Sequence, residues 1–516
     1  MDLTALFPLP ALAPATSQAA AAALAAAALA PIAMGLAALA CGHHRPAASC
    51  WALLRAASTL ALAAAATTLA LVIGTGPARQ PWLRADLPGA LVLLLVAFIG
   101  WVIVRYSATA LQGEPRQPHY ARWLGATVAG ATTVLVTNHL ALLALAWWFT
   151  SFSLHRLLRF YAERPAARIA AHKKFLMARA ADTCLALACV LLAVQAGTLQ
   201  IDALGAWAGQ QARLPAAVQA ALLLVALAAA LKCAQLPFHG WLIQVMEAPT
   251  PVSALLHAGV VNLGGFVLLR LAPLVEHSLP AQALLVCAGT ASAVLAALVM
   301  TTRISVKVAL AWSTCAQMGF MLLQCGLGLW EMALLHLVAH SLYKAHAFLT
   351  AGETVQQARI ARLLPRPTPA PASLVLATAG GLALVVLAAT AWGVLPHAQP
   401  ALLVMAGIVA FALAPLLAGD GAFAPLRAWA LAMGVAALYF GLHAASARWL
   451  VPGTGFSSTL WWIPALGFLG LAGVQAALAQ PRQALARRLH PGFYGGLFLD
   501  EALARLLFRL SPPPSH

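Results

Sequence analysis

Charge is scarce in this sequence. Only 8% of its 516 residues are Asp, Glu, Lys or Arg, against about 25% in a typical soluble domain. With a mean hydropathy of +0.87, this excludes a soluble globular enzyme, a disordered chain and a coiled coil. Acid is scarcer than base: 13 Asp and Glu stand against 30 Lys and Arg, a net charge of +17. There is no basic helix or aromatic platform of the kind that reads nucleic acid. No CxxC occurs, nor a Walker A loop, a GxGxxG after a strand, a CxxCH or a ferredoxin cysteine pattern. The chain therefore offers no recognisable site for NADH, flavin, haem or an iron–sulfur cluster. The eight cysteines sit mostly in apolar runs, as small hydrophobes. Cys41-Gly42-His43-His44 lacks a matching second half and reads as a helix end. A basic n-region is missing near the start, so a cleaved signal peptide is not expected.

Apolar sequence is abundant, at 62% of residues. A membrane helix needs ~20 apolar residues. Such segments fall at 18–41, 51–74, 86–105, 120–137, 139–160, 172–196, 215–247 (interrupted), 250–272, 280–301, 304–326, 329–350, 371–394, 400–418, 425–446 and 458–479. The expected fold is an all-α polytopic membrane protein with about 14–15 spans. Residues 1–110 form N-terminal helices and 111–355 a core. Residues 371–480 add C-terminal helices, and 481–516 a short amphipathic tail. The Pro-rich link Leu363–Pro371 separates the first eleven segments from the last four. Arg105, Arg116 and Arg122 follow the third segment; Arg156, Arg159, Arg164, Arg168, Lys173 and Lys174 the fifth; Arg359, Arg362 and Arg366 the eleventh. The positive-inside rule puts all three links in the cytoplasm, with the N-terminus outside and the C-terminus inside.

Lysine is rarer than arginine: five residues, at 173, 174, 232, 307 and 344. Arginine is always charged and suits a fixed anchor, whereas lysine gives up its proton when desolvated. Lys232, Lys307 and Lys344 fall in apolar segments, where a charge costs at least ~2.5–3.5 kcal/mol. Lys307 lies near a segment start, where snorkelling to water is the competing explanation. Lys232 stands five residues before Pro237, which breaks the helix. Broken helices at membrane depth survive where they line a polar cavity. Glu247, two prolines and His257 follow. His257 is the switchable group, and Glu247 is either a relay acid or a helix-end acid facing water. His336, His340 and Lys344 are spaced by four on one helix face. They suggest a hydrated proton wire; a zinc site is disfavoured because no acidic third ligand accompanies them. Asp182 follows Arg179 by three, so it either pairs with that arginine or faces Lys232.

The stretch Leu231-Lys232-Cys233-Ala234-Gln235-Leu236-Pro237-Phe238-His239-Gly240-Trp241, continuing through Glu247 to His257, resembles the proton-translocating antiporter-like subunits. These include subunit L of respiratory complex I and the Mrp cation/proton antiporters. The likeness continues through Val308–Phe320 and His336–Ala345, and covers roughly residues 85 to 355. It implies inverted five-helix repeats, each with a broken helix. Carried over by position, Lys232 is the central relay lysine and Lys344 the linking lysine. His257, His336 and His340 line the axis, and Asp182 is an acid of the same relay. Two departures stand out. Trp148 occupies the place of the complex I glutamate that pairs with the relay lysine, after Trp147. No lysine lies between 345 and 516, so the lysine of the second broken helix is missing.

A narrower resemblance rests on Arg105-Tyr106-Ser107, Gly113–Gln117, Asn138-His139-Leu140, Ser153–Tyr161, His172–Phe175 and His239–Glu247. These are similar to the DabB branch, membrane subunits of bacterial dissolved-inorganic-carbon complexes. That resemblance implies an inner-membrane, ion-conducting subunit with no cofactor of its own. Its implied partner is a large cytoplasmic DabA-like protein, with a zinc site like that of β-carbonic anhydrases. Protons or Na⁺ would drive the hydration of carbon dioxide to bicarbonate. The alternatives are a cation/proton antiporter or complex I-like pumping subunit, and a passive membrane anchor.

Overall fold

The computed structural model describes residues 17–42, 45–161, 163–362, 371–394, 399–418, 424–446, 459–478 and 484–512. Two long helices open it, α1 (Ser17–Ala40) and α2 (Ala47–Thr75). A two-residue-per-strand antiparallel hairpin follows, β1 (Ala78–Arg79) and β2 (Arg84–Ala85). Next come α3 (Leu87–Ala110), α4 (Gln117–Val136), α5 (Leu140–Leu158), α6 (Pro165–Ala196) and the short α7 (Ile201–Gly209). The centre of the chain runs through α8 (Ala216–Lys232), α9 (Gly240–Gln244), α10 (Thr250–Ala258), α11 (Leu263–Arg270) and α12 (Ala272–Val275). Then follow α13 (Leu279–Thr301), α14 (Val306–Gly326), α15 (Trp330–Leu349), α16 (Ala351–Arg362), α17 (Pro371–Ala391), α18 (Pro400–Leu417), α19 (Ala424–Ser446) and α20 (Trp462–Leu478). The amphipathic α21 (Ala484–Tyr494) and α22 (Leu499–Leu510) complete the set.

The chain is an all-α, multi-pass membrane protein. All fifteen apolar segments expected from the sequence fall on helices, one of them across the α8–α9 break and one across α10–α11. Ten of the described helices, counting Thr250–Arg270 as one, are long and apolar enough to cross a membrane. Ala216–Lys232, Val375–Ala391 and Trp462–Leu478 are apolar but shorter. The remaining two, α4 and α15, carry polar residues: Arg122, His119 and three threonines on one, and Glu331, His336, His340 and Lys344 on the other. Large apolar side chains such as Leu39, Val194 and Leu187 are exposed on outer faces. That is the pattern of a protein whose solvent there is hydrocarbon.

Inside, helices meet through small residues. A Cβ on Gly289 of α13 would lie 2.6 Å from the Gly319 carbonyl oxygen of α14, and one on Gly319 would lie 2.7 Å from that of Gly289. Glycine at both positions lets the two backbones touch. Val286 and Leu323, from the same pair, pack with Ala401, Leu402 and Met405 of α18. The C-terminal helices are thus seated on the core. The Pro-rich link expected to part them lies largely outside the described residues, as do His43 and His44.

One boundary differs from expectation in a way that matters. Lys173 and Lys174 read as part of a basic loop, but α6 begins at Pro165, a residue suited to a first helical position. Both lysines are therefore helical and buried.

Candidate ion-relay site

Two neighbouring helices are interrupted. The first break follows Lys232, the last residue of α8. Ala234 takes a left-handed conformation (φ 52°). Pro237 removes a donor, and regular helix resumes at Gly240. The second break lies at Gly259, between α10 and α11, where a 3-10 turn spans Val260–Asn262. The second leaves its irregular backbone enclosed by protein, as a low-dielectric setting requires; the first is buried at Cys233–Gln235 and opens outward at the exposed Pro237.

Lys232 is buried, 6% exposed. Its Nζ donates to Ser151 Oγ of α5 (2.6 Å) and stands 4.3 Å from the centroid of the Trp147 ring. Lys174 of α6 donates to the Ser151 backbone carbonyl. A small cavity of about 10 Å³ lies between them, lined by Ser151, Lys174, Lys232, Trp241 and Val260. It is close to the least volume that holds one water. Asp182 pairs with Arg179 (2.6 Å) and also acts electrostatically on Lys232 and Lys174. The structure thus shows the Arg179 pair directly, and an electrostatic influence on Lys232 without a contact between the two. Trp148, in the place of the expected glutamate, is 41% exposed. Lys232 is met instead by a hydroxyl and an indole face.

Lys344 is fully buried in α15. Its Nζ donates to Ser313 Oγ of α14 (2.6 Å). The His340 ring donates from Nε2 to the His257 carbonyl (3.2 Å). A carbonyl only accepts, so this bond fixes the tautomer and leaves Nδ1 as the acceptor. The rings of His336 and His340 stack with centroids 6.0 Å apart. His257 stacks on Phe348 at 4.4 Å, and neither of its ring nitrogens meets a partner among the described residues. Asn262, in the second break, donates to Ser341 Oγ (2.6 Å) and to the Ala258 carbonyl (2.9 Å). A second small cavity, lined by Gly259, Asn262 and Ser341, lies here. Residues 256–262 thus lie between two small, mostly apolar-walled cavities, one at Lys232 and one at Asn262 and Ser341.

The remaining sequence candidates sit apart. Lys307 is half-buried in the first turn of α14, with Nζ donating to Thr250 Oγ1 (2.9 Å). Glu247 is half-buried at the end of a 3-10 turn, beside a hollow lined by Leu158, Ala167 and Ala171. Neither lines the Lys232 cavity. Among the described residues no three His, Cys, Asp or Glu side chains gather to hold a metal ion.

Sequence reasoning missed three elements. Lys174 was hidden in a run of basic residues. Ser151 and Ser313 carry no signal of their own. At the opposite end of the helices, Arg270 and Asp86 form a buried pair: the guanidinium meets both carboxylate oxygens at 2.7 Å. Arg84 joins at 2.8 Å, and Asp86 caps α3 through the Gly89 amide. This cluster lines a cavity of about 570 Å³ with Arg79, Asp202, Glu276 and Trp330.

The family described as "NADH:quinone oxidoreductase/Mrp antiporter, TM" matches residues 137–368, the region holding both breaks and all the buried lysines. "Probable inorganic carbon transporter subunit DabB" of Hydrogenovibrio crunogenus is 51% identical over 283 residues, 55% of each chain. The chain thus spans about half the length of that relative. "Probable inorganic carbon transporter subunit DabB2" of Halothiobacillus neapolitanus is 40% identical over 436 residues, 81% of this chain and 78% of the other. The solved Mrp complex from Dietzia sp. DQ12-45-1b shares the fold, with a TM-score of 0.53 and 24% identity over 96% of this chain and 56% of that one. An identity of 40% that runs through the core and on into the C-terminal helices leaves one assignment: the chain belongs to the DabB family of inorganic carbon transporter subunits.

Proposed function

We propose that this chain is the ion-conducting, energy-coupling membrane subunit of an inorganic-carbon uptake complex, and that the ion is the proton. The observation that carries the reading is the pair of buried lysines, Lys232 and Lys344. Each is hydrogen-bonded to a serine hydroxyl; Lys232 ends the helix before the first break, and Lys344 acts electrostatically on His257, two residues before the second. A fixed structural charge has no need of two adjoining breaks, and a passive anchor has no use for buried ammonium groups.

The residues divide the work. Lys174 and Lys232 converge on Ser151, so a charge on one raises the cost of a charge on the other. A proton arriving at either favours departure from its neighbour. His257, His336 and His340 connect this pocket to Lys344, with Asn262 and Ser341 ordering the turn between them. Asp182, held by Arg179, offsets part of the positive charge at the first pocket. The driving force is the membrane potential, ~2.3 kcal/mol per charge per 100 mV. Coupling free energies of ~1–3 kcal/mol are typical, so one charge suffices to bias a partner's conformation.

Arg116, Arg156, Arg159, Arg164 and Arg168 gather at the helix ends opposite the Asp86–Arg270 cavity. The positive-inside rule makes that end cytoplasmic in the bacterial inner membrane, with the N-terminus periplasmic and the C-terminus cytoplasmic. A soluble catalytic partner, a DabA-like zinc protein that hydrates carbon dioxide, would act at this face. The test is to purify the tagged chain from its native membrane in mild detergent and identify what accompanies it. One large zinc-containing soluble protein supports the proposal. A set of hydrophobic antiporter or quinone-reducing subunits would return the chain to cation exchange or respiratory pumping.

A further inference from the structure

The amphipathic pair α21–α22 lies against the end of the core that carries the basic residues. Arg303, in the α13–α14 turn, donates from its guanidinium to the carbonyls of Phe493 (2.7 Å) and Tyr494 (2.8 Å). Three left-handed residues follow, Gly496, Leu497 and Phe498, with φ of 65°, 58° and 55°. Leucine and phenylalanine rarely hold that conformation, so the link between α21 and α22 is a strained corner. Beyond it, α22 turns back to the relay. The Asp500 carboxylate accepts from Lys173 Nζ (3.0 and 3.1 Å) and from Gln244 Nε2 (2.8 Å). It also packs against Gly240, where a Cβ would stand 1.6 Å from Asp500 Oδ1. Any other residue at 240 would exclude the carboxylate.

These contacts converge on the Lys232 break from its far side. Gly240 is the first helical residue after the break, and Gln244 is the last residue of α9. Lys173 adjoins Lys174, which shares Ser151 with Lys232. Lys173 is itself buried, and Asp500 is its ion-pair partner. His239, inside the break, also feels the charges of Asp500 and Glu501.

We propose that Asp500 is a positioning residue for the relay: lodged between Lys173, Gln244 and Gly240, it holds α9 on α6 and so fixes the geometry of the break after Lys232. The strained corner at 496–498 links this latch to the Arg303 anchor, so movement of the helix pair moves the break. This inference rests on the ion-relay reading and deepens it.

The test compares the full chain, in the complex it forms in native membranes, with Asp500→Asn, Asp500→Ala and the charge swap Lys173→Asp with Asp500→Lys. Two readouts are taken: hydrogen exchange of the amides at 241–247, and accumulation of labelled inorganic carbon. Asp500→Asn is expected to raise that local exchange about tenfold and to lower accumulation by a similar factor, with exchange in α13 and α14 unchanged. The swap restores both. Exchange and accumulation within about twofold of the unmodified chain in both single variants would overturn the proposal. Faster exchange with full accumulation would overturn it too, since Asp500 would then serve stability alone. If the unmodified chain accumulates no inorganic carbon, the carbon reading fails by itself. The exchange comparison, with ion flux across proteoliposomes in place of accumulation, then still decides for or against Asp500.

Discussion

Lys232 and Lys174 meet at one residue. The first donates to the Ser151 hydroxyl and the second to the Ser151 carbonyl, so two ammonium groups from different helices are held to the same turn of α5. The hydroxyl can be removed without touching the carbonyl. Ser151→Ala should leave the Lys174 bond in place and strip Lys232 of its hydroxyl acceptor. Losing a hydrogen bond to a buried charge costs about 1.5–3 kcal/mol, so transport should fall at least about tenfold with membrane insertion intact. Accumulation of labelled inorganic carbon, set against the amount of chain in the membrane, measures this. Ser151→Thr, which keeps a hydroxyl, should retain most activity.

The second lysine offers a double-mutant cycle. Lys344→Ala and Ser313→Ala each break the 2.6 Å bond between α15 and α14. Their effects on activity should not add, with a coupling of about 0.5–3 kcal/mol. Additive losses would mean that the two side chains act independently.

The Asp86–Arg270 pair should behave as structure. Breaking a buried pair from one side costs up to about 3–5 kcal/mol, less here because Arg84 keeps a partner at 2.8 Å from Asp86. Arg270→Met should therefore lower the melting temperature of the purified chain more than Arg270→Met combined with Asp86→Leu.

The same pair gives a pH signature. Burial pushes the Asp86 carboxyl up, but the Arg270 and Arg84 guanidiniums outweigh it and hold the group well below the usual carboxylate range. A depressed carboxylate stabilises the fold fully above its unfolded value, 3.8. That contribution is lost as pH falls from there toward the lowered value. Melting temperature should decline on acidification below about pH 4, and Asp86→Asn should remove that part of the slope.

Much of this architecture was legible in the sequence. Hydropathy placed fifteen helical segments, because a lipid-facing helix must be apolar along its length. Lys232 and Lys344 declared themselves as lysines in apolar runs, and Pro237 marked the break. Lys174 did not, because four arginines and a second lysine precede it and a run of base reads as loop. Only the helix start at Pro165 and the Ser151 carbonyl reveal it as buried. Asp86 and Arg270 lie 184 positions apart, and no local pattern links them. The amphipathic character of 481–516 was visible, but the seat of Asp500 beneath Gly240 was not. It depends on a missing Cβ far away in the chain.

The most direct measurement is uptake of radiolabelled bicarbonate by cells carrying Lys232→Gln in place of the native residue, with and without a protonophore. Uptake through the unmodified chain should collapse when the protonophore is added. The variant should show background uptake from the start, although it reaches the membrane in normal amount. Uptake by Lys232→Gln that matches the unmodified chain and stays sensitive to the protonophore would contradict the account, because the proton route would then not pass through Lys232.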